Sequence, residues 1–173
     1  MNPFQELQTG DSVQRQICRE LTESGILKQA ARFSPVICGT FPLGIYTPGS
    51  DVDLLMEADD LDEWEGVMTR IGAADFKTRS WQDVPVRKTT LLFRRLRIEC
   101  IAQPLPVRRQ RAYQHMQIEY RLLQEDTELR SAVMKLRRRG WKTETAFCRL
   151  LSLDETDPYE SLLHYGRKKQ FLF

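Results

Sequence analysis

Long apolar runs are missing from this sequence. The longest, such as Val36–Cys38 and Leu91–Phe93, are a few residues each, against the ~20 that a membrane-spanning helix needs. No membrane partner is expected. The opening residues Met1–Glu6 carry neither a basic stretch nor an apolar one, so no secretory signal is expected either. Cysteine is sparse and scattered. Cys18, Cys38, Cys100 and Cys148 form no C-x-x-C pair, which argues against a structural zinc site and a disulfide framework. They read as reduced core thiols of a cytoplasmic protein, and a lone catalytic cysteine is disfavoured against burial. Histidine occurs twice, and no repeat or low-complexity segment is present.

What is there is ordinary for a globular chain. The 173 residues are 41% hydrophobic, 29% charged and 9% aromatic, which excludes intrinsic disorder and fibrous classes. The length fits one compact domain, or a core with a helical appendage. Net charge is +2 but unevenly placed. Residues 1–86 hold 7 Lys/Arg and 14 Asp/Glu, and residues 87–173 hold 19 and 10. An acidic half facing a basic half suits a site with cations on one wall and a polyanion on the other.

The chain is punctuated clearly. Asp11 with Gln14 three residues on, then Val13, Ile17 and Leu21, predicts a capped helix that stops at Gly25. A short strand is expected at 35–38, a glycine-rich turn over 39–50, and a second strand from Asp51 to Met56. Asp60 predicts the cap of a helix ending at Gly72. Phe76–Trp81 reads as a strand, with Pro85 interrupting. Val86–Phe93 and Leu96–Ala102 read as a hairpin around Arg94 and Arg95. Pro104 and Pro106 stop the sheet. Beyond them helices are expected over Arg108–Gln124, from a Thr127 cap to Gly140, over Thr143–Leu151, and from Asp157-Pro158 to Gly166. The expected fold is therefore α/β (α+β): a small mixed or antiparallel sheet flanked by helices. Residues 1–104 form its core and 105–173 a C-terminal helical extension packed on it.

The informative constellation is Gly39-Thr40, ten further residues, then Asp51-Val52-Asp53. On a strand, Asp51 and Asp53 share one face. Two carboxylates about 7 Å apart repel unless a cation lies between them. Hard oxygen donors of this kind suit Mg²⁺ or Mn²⁺, whose shells are completed by water and phosphate. In the preceding turn, Gly39, Gly44 and Gly49 let backbone N–H groups approach phosphate oxygens, and Thr40 adds a hydroxyl. The rival reading is an Asp-rich strand end beside turns made by Gly and Pro.

The spacing Gly39-Thr40-x-x-x-Gly44, then Ser50-Asp51-Val52-Asp53, resembles the signature of the DNA polymerase β-like nucleotidyltransferase superfamily. Thr40 stands where Ser or Gly is usual and keeps a hydroxyl. Leu43 stands where an Arg that helps hold phosphates is common. Nearly the whole chain, through Gly39–Ile45, Pro48–Leu54, Ile98-Glu99, Gln110–Met116, Glu119–Leu123, Lys142–Phe147 and Asp157–Tyr159, resembles the uncharacterised domain-of-unknown-function 4269 family, grouped with those enzymes. The resemblance implies transfer of a nucleoside monophosphate from an NTP to an acceptor, which is a small molecule, a protein or RNA. It implies Asp51, Asp53 and Glu99 as the metal-binding carboxylates, and Gly39, Thr40, Gly44 and Ser50 as nucleotide-binding residues. Glu99 also earns its place physically, since a carboxylate between Ile98 and Cys100 on a strand needs a partner.

Arg108, Arg111, His115 and Glu119 recur at helical spacing, opposite a Tyr113–Met116–Tyr120 stripe expected to be core. If that stripe faces the cleft, Arg108 and Arg111 bind phosphates and His115 or Glu119 accepts a proton. Otherwise it is a solvated face with a His–Glu pair. His164 has no such company. The basic runs Arg94-Arg95, Arg137–Arg139 and Arg167–Lys169 lack interleaved aromatics, so nucleic acid is not the favoured partner. Two other functions compete: a non-catalytic module of this fold that binds a nucleotide, nucleic acid or protein, and a toxin–antitoxin component.

Overall fold

The computed structural model describes residues 1–81 and 83–172. Helix α1 (Pro3–Thr9), capped by Asn2 with Pro3 in its first turn, precedes the helix foreseen from Asp11. Its seven residues bury only Leu7, too little periodicity to read from sequence. Helix α2 (Ser12–Ser24) has the full capping box. Asp11 accepts from the Val13 and Gln14 amides, and the Gln14 side chain accepts from the Asp11 amide at 2.9 Å. Gly25, at φ 69°, ends it. Short α3 (Ile26–Gln29) leads to β1 (Val36–Cys38) and the single turn α4 (Thr40–Leu43). Strand β2 (Val52–Glu57) and helix α5 (Leu61–Arg70, capped by Asp60) follow.

Three strands come next: β3 (Ala74–Trp81), β4 (Val84–Phe93) and β5 (Leu96–Gln103). Pro85 lies within β4 rather than interrupting it. It pairs with Ser80 of edge strand β3, at the far end of the ladder, where a missing N–H costs least. The sheet order is β1-β2-β5-β4-β3. All pairings are antiparallel except β2 with β5, so the sheet is mixed. Helices α6 (Arg111–Glu125), α7 (Thr127–Arg137), α8 (Thr143–Leu150) and α9 (Pro158–Lys168) complete the chain. No helix among the described residues is long and apolar enough to cross a membrane.

Strand alternation divides the core in two. Val52, Leu54 and Met56 of β2, with Ile98, Cys100 and Ala102 of β5, pack under α2 and α5, where Leu21, Trp64 and Met68 are buried. On the other face Leu55 and Cys38, with Ile101 at its edge, meet Met116, Ile118, Val133, Phe147 and Leu162 of the C-terminal helices. The helical extension thus shares a core with the sheet. Burying each such side chain contributes about 1.5–3 kcal/mol.

Two buried glutamines tie neighbouring segments together by hydrogen bonds. Gln14 Nε2 donates to the Phe41 carbonyl at 2.8 Å, and Gln110 Nε2 donates to the Met56 and Leu105 carbonyls at 2.8 and 3.1 Å. The second pair pins the start of α6 to the end of β2. Three local expectations are corrected. Arg108 lies in a 3₁₀ turn (Val107–Arg109) before α6, because Pro104–Pro106 delays the helix. Asp126, not Thr127, caps α7, since its carboxylate reaches the Glu128 and Leu129 amides.

The third correction is Gly166. It does not end α9 but lies buried within it, because α6 passes too close for a side chain. A Cβ there would sit 2.3 Å from Ile118 Cδ1. Gly166→Ala should therefore cost about 1–3 kcal/mol by overpacking. Ile118→Val in the same chain should recover part of it, read as non-additive melting temperatures in a double-mutant cycle. Additive effects would refute the contact.

Candidate functional site

The sheet register builds an acidic row. Cys38 of β1 pairs with Asp53 of β2, and Asp53 pairs with Glu99 of β5. Residues paired across adjacent strands present their side chains on the same face. Asp51 stands just ahead of β2, two residues before Asp53. Two of these carboxylates have cations of their own. Lys88 Nζ lies 2.7 Å from Glu99 Oε1, and Arg97 Nε lies 2.8 Å from Asp51 Oδ1. Asp53 has no ion pair among the described residues. Burial, then the charges of Glu99 and Asp51, push its carboxyl up to about 7, with Lys88 offsetting part of the rise and Glu144 adding to it. The row is a hard oxygen donor set whose central member has no ion pair among the described residues, and such donors suit a divalent cation such as Mg²⁺ or Mn²⁺, although the donor atoms of Asp51, Asp53 and Glu99 do not all lie within 4.8 Å of one another.

Gly39 makes this row sterically possible. At φ 78° it turns the chain under β2, and a Cβ on it would meet Asp53 Oδ2 at 2.2 Å. Only glycine lets the backbone pass so close to the carboxylate. Thr40 follows as the first residue of α4. The other turn residues have partners within the protein. Gly44, at φ 65°, caps α4 beside Gln14 and Arg130, and Arg130 donates to the Leu43 carbonyl. Ser50 Oγ accepts from the Thr47 amide at 3.0 Å, closing the 47–50 turn.

The four helix residues do not share one environment. Arg108 is exposed. Arg111 stacks on Trp81 of β3 at 4.2 Å, and its Nη2 lies 2.8 Å from Glu160 Oε1. His115 and Glu119 are 4% exposed each and belong to the buried face of α6, with Met116 and Ile118. The tyrosines Tyr113 and Tyr120, expected in the core, are only half-buried at its rim. The reason is that α6 is sandwiched between the sheet and α9, so its buried face is wider than one stripe. Burial, with help from Arg111, lowers the His115 imidazole to about 4. Burial and the charge of Glu144 raise the Glu119 carboxyl well above the usual range, against the pull of Arg137.

Sequence reasoning missed Lys88, Trp81, Gln110 and Glu144. Lys88 lies in a β4 segment of mixed polarity, and its role rests on register with β5. Glu144 occupies the first turn of α8, where an acid is ordinary dipole complement. Nothing local marks either.

The displaced Asp53 pKa fixes a pH dependence. The folded protein holds a proton on Asp53 up to about pH 7, whereas an unfolded aspartate releases it near 3.8. Stability therefore falls as pH rises through that window. In chelator, Asp53→Asn should melt several degrees above wild type at pH 8, with the gain vanishing near pH 4. A pH-independent difference would contradict this placement of Asp53.

No curated protein sequence matches this chain. Solved structures do. The polymerase core of TRAMP, an RNA surveillance complex, superposes with a TM-score of 0.54 at 13% identity, covering 90% of this chain and 57% of that one. The GLD-2/RNP-8 complex gives 0.53 at 13% identity, over 94% and 59%. A mutant of the Cid1 poly(U) polymerase bound to MgATP gives 0.51 at 15% identity, over 78% and 41%. The chain thus spans between two fifths and three fifths of the length of these proteins. At such identities the likeness establishes the fold, which is the nucleotidyltransferase fold. The domain-of-unknown-function profile DUF4269 matches residues 19–165, most of the length, and the chain belongs to that family.

Proposed function

We propose that this protein is a metal-dependent nucleotidyltransferase. The observation that carries the reading is the Asp53–Glu99 register beside Gly39, which leaves a half-buried carboxylate without an ion pair among the described residues, next to backbone that could approach phosphate. Asp51, Asp53 and Glu99 are the residues that would hold Mg²⁺ or Mn²⁺. Such an ion, when bound, neutralises phosphate charge and lowers the pKa of an attacking hydroxyl. The acceptor oxygen forms its bond to the α-phosphorus of an NTP, the bond to the β-phosphate oxygen breaks, and pyrophosphate leaves. The acceptor proton passes to a carboxylate of the row, Glu99 in this reading. Lys88 and Arg97 hold Glu99 and Asp51 in place before substrate arrives. Gly39 and Thr40 line the phosphate side in this reading. The acceptor is a hydroxyl-bearing small molecule, protein or RNA, in a cytoplasmic setting.

One observation favours a second reading. Lys88 and Arg97 satisfy two of the three carboxylates without metal, as a non-catalytic binding module would. Incubation with each α-labelled NTP and Mg²⁺ or Mn²⁺ against a cell lysate separates the two. Transferase action predicts label on an acceptor, lost in Asp53→Asn by at least a hundredfold. A melting-temperature rise with nucleotide but no label in any combination would favour the binding module.

A further inference from the structure

Beside the acidic row, close enough for the charge of Glu144 to act on Asp53, α6 and α8 bring together a second set of ligating groups. His115 and Glu119 stand one turn apart on α6 and so share a face. Glu144 reaches them from the first turn of α8. One donor atom from each lies within 4.8 Å of the others, and no further trio of His, Cys, Asp or Glu among the described residues does so. His115 is 4% exposed, yet neither Nδ1 nor Nε2 has a hydrogen-bond partner. An imidazole buried without partners is costly, and this one lies within reach of two carboxylates.

Two guanidinium groups, Arg111 and Arg137, stand near enough for their charges to act on the cluster, but neither forms an ion pair with its carboxylates among the described residues. Arg111 is stacked on Trp81 and beside Glu160. Arg137 Nη1 donates to the Trp141 carbonyl at 3.0 Å. No salt bridge within 4 Å reaches Glu119 or Glu144 among the described residues. Glu144 is only half-buried, so the cluster has a solvent-side rim.

We infer that His115, Glu119 and Glu144 form a second divalent-cation site, selective for a zinc-type ion over Mg²⁺, that ties α6 to α8. One imidazole nitrogen with two carboxylate oxygens is the mixed donor set of Zn²⁺ and its first-row neighbours, whereas Mg²⁺ takes oxygen alone. A tetrahedral ion at ~2.1 Å from each donor holds them ~3.4 Å apart, so modest side-chain adjustment closes the site. Three protein ligands leave a fourth position for water at the Glu144 rim. The inference is independent of the nucleotidyl-transfer reading.

The test uses chelator-treated Asp53→Asn protein, which removes the central ligand of the acidic row. Zn²⁺ titrated by calorimetry should bind with one equivalent and raise the melting temperature, while Mg²⁺ should do neither. Co²⁺ in its place should give the visible absorption of a nitrogen–oxygen donor set. Glu119→Gln and Glu144→Gln, each added to Asp53→Asn, should weaken Zn²⁺ binding at least tenfold. Glu144→Gln changes a half-buried rim residue and relieves repulsion, so it keeps the test open if a His115 variant fails to fold. No stoichiometric Zn²⁺ binding to Asp53→Asn would overturn the site, as would binding unchanged by both glutamine variants.

Discussion

The parallel pairing of β2 with β5 is the constraint on which the rest depends. It aligns Asp53 with Glu99 and so sets two like charges side by side at one place in the sheet. It also requires the chain between them to cross over, since parallel neighbours cannot be joined by a tight turn. That crossover is α5 and the β3–β4 pair. One face of the resulting sheet is sealed by α2 and α5. The other is left for the acidic row and the C-terminal helices.

Like charges cannot be packed without compensation, and the protein divides the task. Lys88 and Arg97, each from a strand bordering the row, answer Glu99 and Asp51. Asp53 has no ion pair among the described residues, and the Gly39 backbone passes close to its carboxylate. Lys88 offsets only part of the rise in its pKa, so its charge is costly unless a cation compensates it.

The C-terminal helices are more than a cover. Gln110 fixes α6 to the end of β2, and Gly166 lets α9 lie against Ile118. Once α6 is held between sheet and α9, His115 and Glu119 have no route to solvent on their own helix. Both lie within reach of Glu144 on α8. The charge of Glu144 is felt by Asp53 as well, so the helical cluster and the acidic row are electrostatic neighbours.

Much of the fold was legible because its signals are local. The Asp11–Gln14 capping box, the Asp60 and Asp157 caps and the strand alternation of β2 and β5 all act within a few residues. The glycine and Asp-x-Asp spacing is local too, and it marked Gly39, Asp51 and Asp53. Misreadings arose where a second element intervenes. Gly166 looks like a helix stop, but a neighbouring helix requires it. The α6 stripe could be read as facing either the cleft or solvent, because helical periodicity gives the angle between faces, not how many faces are covered. Lys88 and Glu144 were invisible, since their partners stand 11 and 25 residues away on other elements. The sequence by itself determined the element order, the acidic pair and the glycine that must accompany it, because each is marked by residue type and spacing along the chain. Only the tertiary structure decided which carboxylate lacks a cation and which histidine lacks a partner, because burial and charge compensation depend on what the rest of the chain brings alongside.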